Sequence, residues 1–373
     1  PPAFADSLSP NPDAFLVGAV LPAARNGERR LTIAGDVCPR LTQGIITVLH
    51  WMAHWYGPHW RRLQLETRAR RLPRETSADR RTALFLSGGV DSLAALRMNR
   101  LDVPREHPAS IEEGILVRGF SARDDDNFAP ALRAAEAVAR DTGLTLVPVT
   151  TNVRLLDRDS QFWVDQLHGA AVTSVAHTLA SRTSVVHLAS SYDIPHLVPW
   201  GSHPAVDGNY SSYEVAIRHD GVHMSRLTKT ALLAEWPVGL ANLRVCTSRP
   251  PVGTMNCGRC EKCVRTRLGL LALSLDGAAA FGPGELMATA ITPIRIRTDY
   301  RQAYYAEVSA ALKRLGYADH ARELQAVLDE YERYKASVAG RDWKGVMKRV
   351  DRRVFGGALW QARSWAKQTI ARG

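Results

Sequence analysis

Up to about residue 290 the chain alternates short apolar runs with polar, glycine-containing or proline-containing stretches. Phe15–Pro22 and Arg30–Gly35 read as strands, Leu41–Tyr56 as an amphipathic helix and Leu63–Thr67 as a further strand. An arginine-rich connector, Arg68–Arg81, follows. Ala83–Leu86 is then a strand that opens into a helix beyond Ser92, and Ile115–Phe120, Leu144–Thr150 and Ser184–Ala189 are strands. Ala129–Thr142, closed by Gly143, and His168–Ser181 are the helices between them. Strands that alternate with helices predict an α/β fold, a Rossmann-like parallel sheet with helices on both faces. Ligands of such sheets sit beyond the carboxyl ends of the strands. That places Ser87–Ser92, Arg118–Phe120, Thr151–Asn152 and Ser190–Tyr192 on one rim. Past Thr292 the pattern turns helical and basic, with helices expected at Asp299–Leu315, Asp319–Val338, Trp343–Val354 and Ala358–Ile370. The expected organisation is an accessory α/β unit at 1–80, a nucleotide-binding domain at 81–290 and a basic helical extension at 291–373.

Composition adds a charge. The chain has 373 residues and a formal net charge of +11, which suits anionic partners. The excess collects in Arg61–Arg81 and Arg341–Arg372, flanks that read either as solvated faces or as a surface for a nucleic acid or an acidic protein. No apolar run is long enough to span a bilayer, so no membrane partner is expected. Pro1–Pro12 carries no signal-peptide pattern, and the expected location is cytoplasmic. Self-association is compatible with the sequence.

Candidate chemistry begins at Ser87-Gly88-Gly89-Val90-Asp91-Ser92. Glycines between a strand and a helix let the backbone approach a ligand closely, and the free N–H groups of the helix start attract an anion. Ser87 and Ser92 add hydroxyl donors. Asp91 beside phosphates makes sense as a helix-starting residue or as a group that positions magnesium. The Gly-Lys-Ser/Thr of a Walker loop is missing.

Cys246, Cys257, Cys260 and Cys263 form a second motif, Cys-x10-Cys-x2-Cys-x2-Cys. Four thiolates around one ion describe a closed structural zinc site, and an iron–sulfur cluster uses the same spacing. Leu243–Val245 reads as a strand leading into it, and Cys38 stands apart as a small buried hydrophobe.

The loop resembles the PP-loop of the N-type ATP pyrophosphatases, which split ATP into AMP and pyrophosphate. Together with the four cysteines it resembles 7-cyano-7-deazaguanine synthase, over about Thr82–Leu273. Asp207-Gly208-Asn209-Tyr210 and Met224-Ser225-Arg226-Leu227-Thr228-Lys229 are loosely similar to two further segments of that family. Val90 stands where the family has Gln, and Tyr210-Ser211-Ser212-Tyr213 replaces its Ser-Gly-Tyr-Pro-Asp-Cys. The resemblance implies a divergent member, of the kind found in natural-product, nucleic-acid-modification and antiviral-defence settings.

It also implies a reaction: a carboxylate, 7-carboxy-7-deazaguanine or a relative, becomes an acyl adenylate, and ammonia or a partner protein's amine then gives an amide or nitrile. The implied cofactors are ATP, magnesium and zinc. Ser87, Gly88, Gly89, Val90, Asp91 and Ser92 would hold the phosphates, and Arg118, Gly119 and Phe120 the adenine or ribose. Asp91, Lys229 and His219 are the catalytic candidates. His203, Asp207, Tyr210, Asp220 and Arg226 are the substrate-binding ones, the carboxylates as acceptors for a guanine-like edge. Two other readings share the motifs. One is a tRNA sulfur-transfer enzyme that uses the same loop; the other is a non-catalytic nucleotide-binding scaffold.

Overall fold

The computed structural model describes residues 2–70, 79–120, 124–275 except 247, 249, 252 and 253, and 279–341 except 283. The chain divides into two compact units, Pro1–Leu286 and Met287–Gly373.

The first unit begins with helix α1 (Pro12–Arg25), strand β1 (Arg30–Val37), helix α2 (Pro39–Tyr56) and strand β2 (Gln64–Ala69). β1 and β2 pair in parallel as a separate two-stranded sheet. The remaining elements are β3 (Arg81–Phe85), α3 (Val90–Asp102), β4 (Glu113–Arg118), α4 (Asp124–Thr142) and β5 (Thr145–Thr150). They continue with α5 (Ser160–Phe162), a π-helical turn (Trp163–Leu167), α6 (His168–Thr178), β6 (Thr183–Ala189) and α7 (Pro204–Asp207). β7 (Ala216–Asp220), α8 (Arg226–Ala234), α9 (Pro237–Ala241) and α10 (Glu261–Leu271) complete the unit. Strands β3 to β7 form one five-stranded sheet in the order β5-β4-β3-β6-β7, every pair parallel. The chain runs outward from β3 to β5, then crosses back to β6 on the other side of β3. The strand order therefore reverses between β3 and β6, the place where open α/β sheets hold ligands.

Because side chains alternate along a strand, each strand feeds two cores. Ala83, Ile115, Val147, Val186, Leu188 and Ile217 face a core built with α1, α2 and α6. Leu84, Leu86 and Leu116 face a second core with α3 and α4, joined by Leu233, Leu243 and Cys263. The N-terminal helices thus share the main sheet's first core.

Phe15–Pro22, read above as a strand, lies inside α1. Asn11 caps this helix by accepting from the Asp13 N–H at 3.1 Å, and Pro12 fills its first turn. Leu16, Val17, Val20 and Leu21 are all fully buried, and Phe15, Ala19 and Ala23 on the outer face are apolar as well, so the helix has no polar face in this stretch and its period was hidden. Leu243–Val245, also read as a strand, is irregular. Its backbone bonds go to the Asn256 side chain and to Gly88 instead of a ladder. β7 was not expected from the sequence.

The second unit holds α11 (Asp299–Arg314) and α12 (Ala318–Arg341), which pack on each other. Tyr304, Tyr305, Val308 and Leu312 of α11 are buried, as are Leu324, Val327 and Leu328 of α12. The helices expected at Trp343–Val354 and Ala358–Ile370, and with them most of the basic tail, lie outside the described residues. Among the described residues no helix is long and apolar enough to cross a membrane.

α2 crosses the Gly208–Tyr210 turn so closely that a Cβ on Gly44 would overlap the Asn209 carbonyl oxygen. Gly44→Ala is expected to cost about 1–3 kcal/mol, seen as a lower urea midpoint at an unchanged slope. Gly208→Ala, where a Cβ meets nothing within 4 Å, is the control and should leave the midpoint in place.

Candidate functional site

The Ser87–Ser92 loop lies at the carboxyl end of β3, beside the reversal of strand order. Gly88 has φ of +76°, a backbone that glycine adopts without strain, and its carbonyl accepts from the Arg244 N–H at 2.8 Å. Gly89 is the residue before α3. The Ser87 and Ser92 hydroxyls lie 3.1 Å apart, and Ser92 Oγ also donates to the Gly89 carbonyl at 3.1 Å. Val90 is fully buried in the second core, which seats the first turn of α3.

Asp91 turns toward α8. Arg226 Nη1 donates to its Oδ2 at 2.8 Å, and Lys229 Nζ stands 3.7 Å from its Oδ1. Lys229 is 1% exposed and also donates to the Ser190 carbonyl at 2.7 Å, at the end of β6. Burial pushes the Lys229 ammonium down from its ordinary pKa, while Asp91 works in the opposite direction. Lys262 adds a further positive charge within electrostatic reach of Asp91 and Arg226. The structure therefore gathers Asp91, Arg226 and Lys229 at the loop. Oδ2 is taken by Arg226, while Oδ1 is buried and has no hydrogen-bond partner.

Arg118, Gly119 and Phe120 end β4, one strand from the loop. The Arg118 guanidinium lies 5.7 Å from the centre of the Phe128 ring. Gly119, at φ +110°, packs against Thr151, whose carbonyl oxygen would overlap any Cβ there. The Phe120 carbonyl accepts from Arg154 at 2.9 Å, and its ring packs 5.2 Å from that of Trp163.

The remaining expected residues cluster at the carboxyl end of β7. Asp207 is fully buried. Its Oδ2 accepts from His219 Nδ1 at 2.7 Å and from Ser202 Oγ at 2.6 Å, and its Oδ1 from the His203 N–H at 3.2 Å. His203 Nδ1 accepts from the Ala205 N–H at 3.0 Å to cap α7, and burial lowers the pKa of this imidazole. Asp220 pairs with His187. Asp207 is thus engaged within the protein through both oxygens, whereas Asp220 gives one oxygen to His187 and keeps its side chain 26% exposed. Tyr210 is fully buried, and its hydroxyl is pushed well above the usual phenol pKa by burial. It belongs to the first core and is not placed to touch a substrate.

The four cysteine sulfurs all lie within 4.8 Å of one another. Cys260 Sγ is 3.4 Å from Cys263 Sγ and 3.9 Å from Cys246 Sγ, and the Cys257–Cys263 separation is 3.9 Å. Tetrahedral zinc with bonds of about 2.3 Å calls for sulfurs about 3.8 Å apart. Gly258 turns at φ +69°, and the Cys260 N–H points at Cys257 Sγ from 3.2 Å. Burial raises the Cys246 and Cys263 thiol pKa values, and neighbouring sulfurs add to the effect at Cys263, so a cation is the natural counter-charge for this set. These four residues could hold a metal such as zinc.

Three residues of the site were not singled out in the sequence. Asn256 accepts from the Val245 and Cys246 N–H groups at 2.9 and 3.1 Å and donates to the Leu243 and Ala280 carbonyls at 2.7 and 2.8 Å. Arg244 bonds the glycine loop, and His187 holds Asp220. Asn256 directly precedes Cys257, the one signal that could have found it.

Comparison with protein-family models, with curated proteins and with solved structures gave no match.

Purified protein is expected to carry one zinc per chain by elemental analysis. Cys263→Ser should abolish it, and Asn256→Ala should weaken zinc retention against a chelator by about 10–100-fold. Iron in place of zinc would point to a cluster.

Proposed function

We propose that the protein activates a carboxylate with ATP, releasing pyrophosphate, and passes the acyl adenylate to ammonia or an amine to form an amide or nitrile. The observation that carries this reading is the meeting of Asp91, Arg226 and Lys229 on the Ser87–Ser92 loop, at the point where strand order reverses. A carboxylate is a poor acyl donor because oxide would have to leave. Attack of its oxygen on the α-phosphorus replaces that leaving group with AMP.

The protein's part is to bind and to neutralise. The glycine backbone and the Ser87 and Ser92 hydroxyls suit the phosphate chain. Arg226 and Lys229 supply fixed positive charge for the departing pyrophosphate in a site with little water. Asp91 keeps the two cations in place before the phosphates arrive. Zinc at the cysteines would be closed to substrate and would hold the Asn242–Cys246 segment against Gly88. The substrate proposed is a 7-carboxy-7-deazaguanine-type acid, on the strength of the paired loop and cysteine motifs.

The test is incubation with ATP, magnesium, 7-carboxy-7-deazaguanine and ammonium, read by mass spectrometry. AMP together with an amide or nitrile is the expected result. AMP alone assigns the acid and moves the acceptor to another amine, such as one on a partner protein. No AMP overturns the reading in favour of sulfur transfer or a scaffold. Lys229→Met and Asp91→Asn should each slow AMP formation by about 100-fold or more.

A further inference from the structure

We infer that His219 takes the proton shed by the attacking amine, and that Asp207 is the positioning residue that keeps its Nε2 bare for this. The inference rests on the carboxylate-activation reading. A carboxylate oxygen can only accept from His219 Nδ1, so the 2.7 Å contact with Asp207 places the imidazole proton on Nδ1 and the lone pair on Nε2. Nε2 is buried and has no hydrogen-bond partner. A shielded lone pair without a donor is an unfilled requirement in a folded protein, and an incoming N–H would fill it.

The surroundings hold this arrangement from several sides. Asp207 is fully buried and also takes Ser202 Oγ and the His203 N–H. The segment that brings those donors is pinned in turn, because the Gly169 N–H, just past the π-helical turn, donates to the Gly201 carbonyl at 2.9 Å. A base oriented by a buried carboxylate that is itself oriented is the arrangement general-base catalysis needs. Among the histidines of this region His219 is distinguished by its carboxylate partner. His177 Nδ1 is also buried without a hydrogen-bond partner, but its Nε2 meets the Tyr210 carbonyl at 2.7 Å; His168 Nδ1 meets the Trp163 carbonyl at 3.1 Å, and His203 Nδ1 caps α7.

His219 shares the first-core face of β7 with Ile217 and is linked to the loop through the strand ends. His219 stands opposite Leu188 near the carboxyl end of β7. One peptide further, Ser190 joins the two places: its N–H donates to the Asp220 carbonyl, and its own carbonyl accepts from Lys229 Nζ, each at 2.7 Å. In the step proposed, the amine nitrogen forms a bond to the acyl carbon and the carbon–oxygen bond to AMP breaks. AMP leaves with that electron pair, the nitrogen's proton passes to Nε2, and Asp207 offsets the charge of the imidazolium.

The experiment separates the two half-reactions in the full-length, metal-loaded protein, with ATP, magnesium, 7-carboxy-7-deazaguanine and ammonium as the probes. Pyrophosphate–ATP exchange reports adenylation and an intact fold; amide formation reports the amine step. His219→Asn keeps a donor near the Nδ1 position and removes Nε2. It is expected to leave exchange within about threefold and to slow amide formation by about 100-fold or more. Asp207→Asn should slow amide formation by about 10-fold or more. It should also move the His219 proton from Nδ1 to Nε2 in nitrogen-15 spectra of the imidazole, which a purely structural role would not do. Exchange in the wild type that both variants lose, amide formation that survives His219→Asn, or a wild-type proton found on Nε2 each overturns the role of His219 alone. No exchange in the wild type overturns the activation reading, and this step with it.

Discussion

The carboxylate of Asp91, in the first turn of α3 where the helix dipole favours it, is shared by two cations, and the arrangement around the glycine loop follows from that contact. Arg226 and Lys229 reach the carboxylate from the start of α8, where cations oppose the helix dipole and themselves need an anion. Both cations thus share one carboxylate. Lys229 can then be buried almost completely, with the Ser190 carbonyl as its second partner, which ties α8 to the end of β6. Removing Asp91 would leave two neighbouring cations, one of them almost fully buried, without the carboxylate they share, a far larger cost than the net stabilisation of either pair.

The sulfur cluster and the glycine loop are linked by a short stretch of backbone. Arg244 bonds Gly88, Cys246 follows two residues later, and Asn256 holds that segment with three of its side-chain bonds and ties it to Ala280 with the fourth. An amide side chain with two acceptor contacts and two donor contacts, 3% exposed, is fully satisfied and has one geometry. A metal drawing the four sulfurs together would therefore set the height of the Asn242–Val245 segment over the loop.

Features that are contiguous in the chain could be read without coordinates. Ser87–Ser92 and the cysteine spacing are of this kind, and so are the sheet strands whose ends carry glycine, such as Leu144–Thr150. Pairings across long separations could not be read: Asp91 and Arg226 are 135 positions apart, and nothing local marks them as partners. The sequence shows that Asp207 and Asp220 are carboxylates. It does not show that histidines and a serine already occupy them, or that Tyr210 turns into the core. β7 was hidden because Arg218, His219 and Asp220 look like a polar loop. Ile217 and His219 in fact alternate with Arg218 and Asp220 across a strand. α1 was misread because its outer face carries Phe15, Ala19 and Ala23, as apolar as the buried face, which leaves no period to see.

The π-helical turn at Trp163–Leu167 bears on how this region tolerates change. His168 N–H reaches back five residues to the Trp163 carbonyl, so the helix from Ser160 to Thr178 carries one residue more than a regular path would need. Phe162 ahead of the turn and Ala170 and Ala171 behind it all enter the same core. An α-helix advances about 100° per residue. Deleting a single residue in the turn would therefore restore a regular helix and leave both groups in their seats, whereas a deletion in the regular turns on either side would swing one of them out. The turn is thus the place in this segment where the chain can change length by one residue without unseating the core.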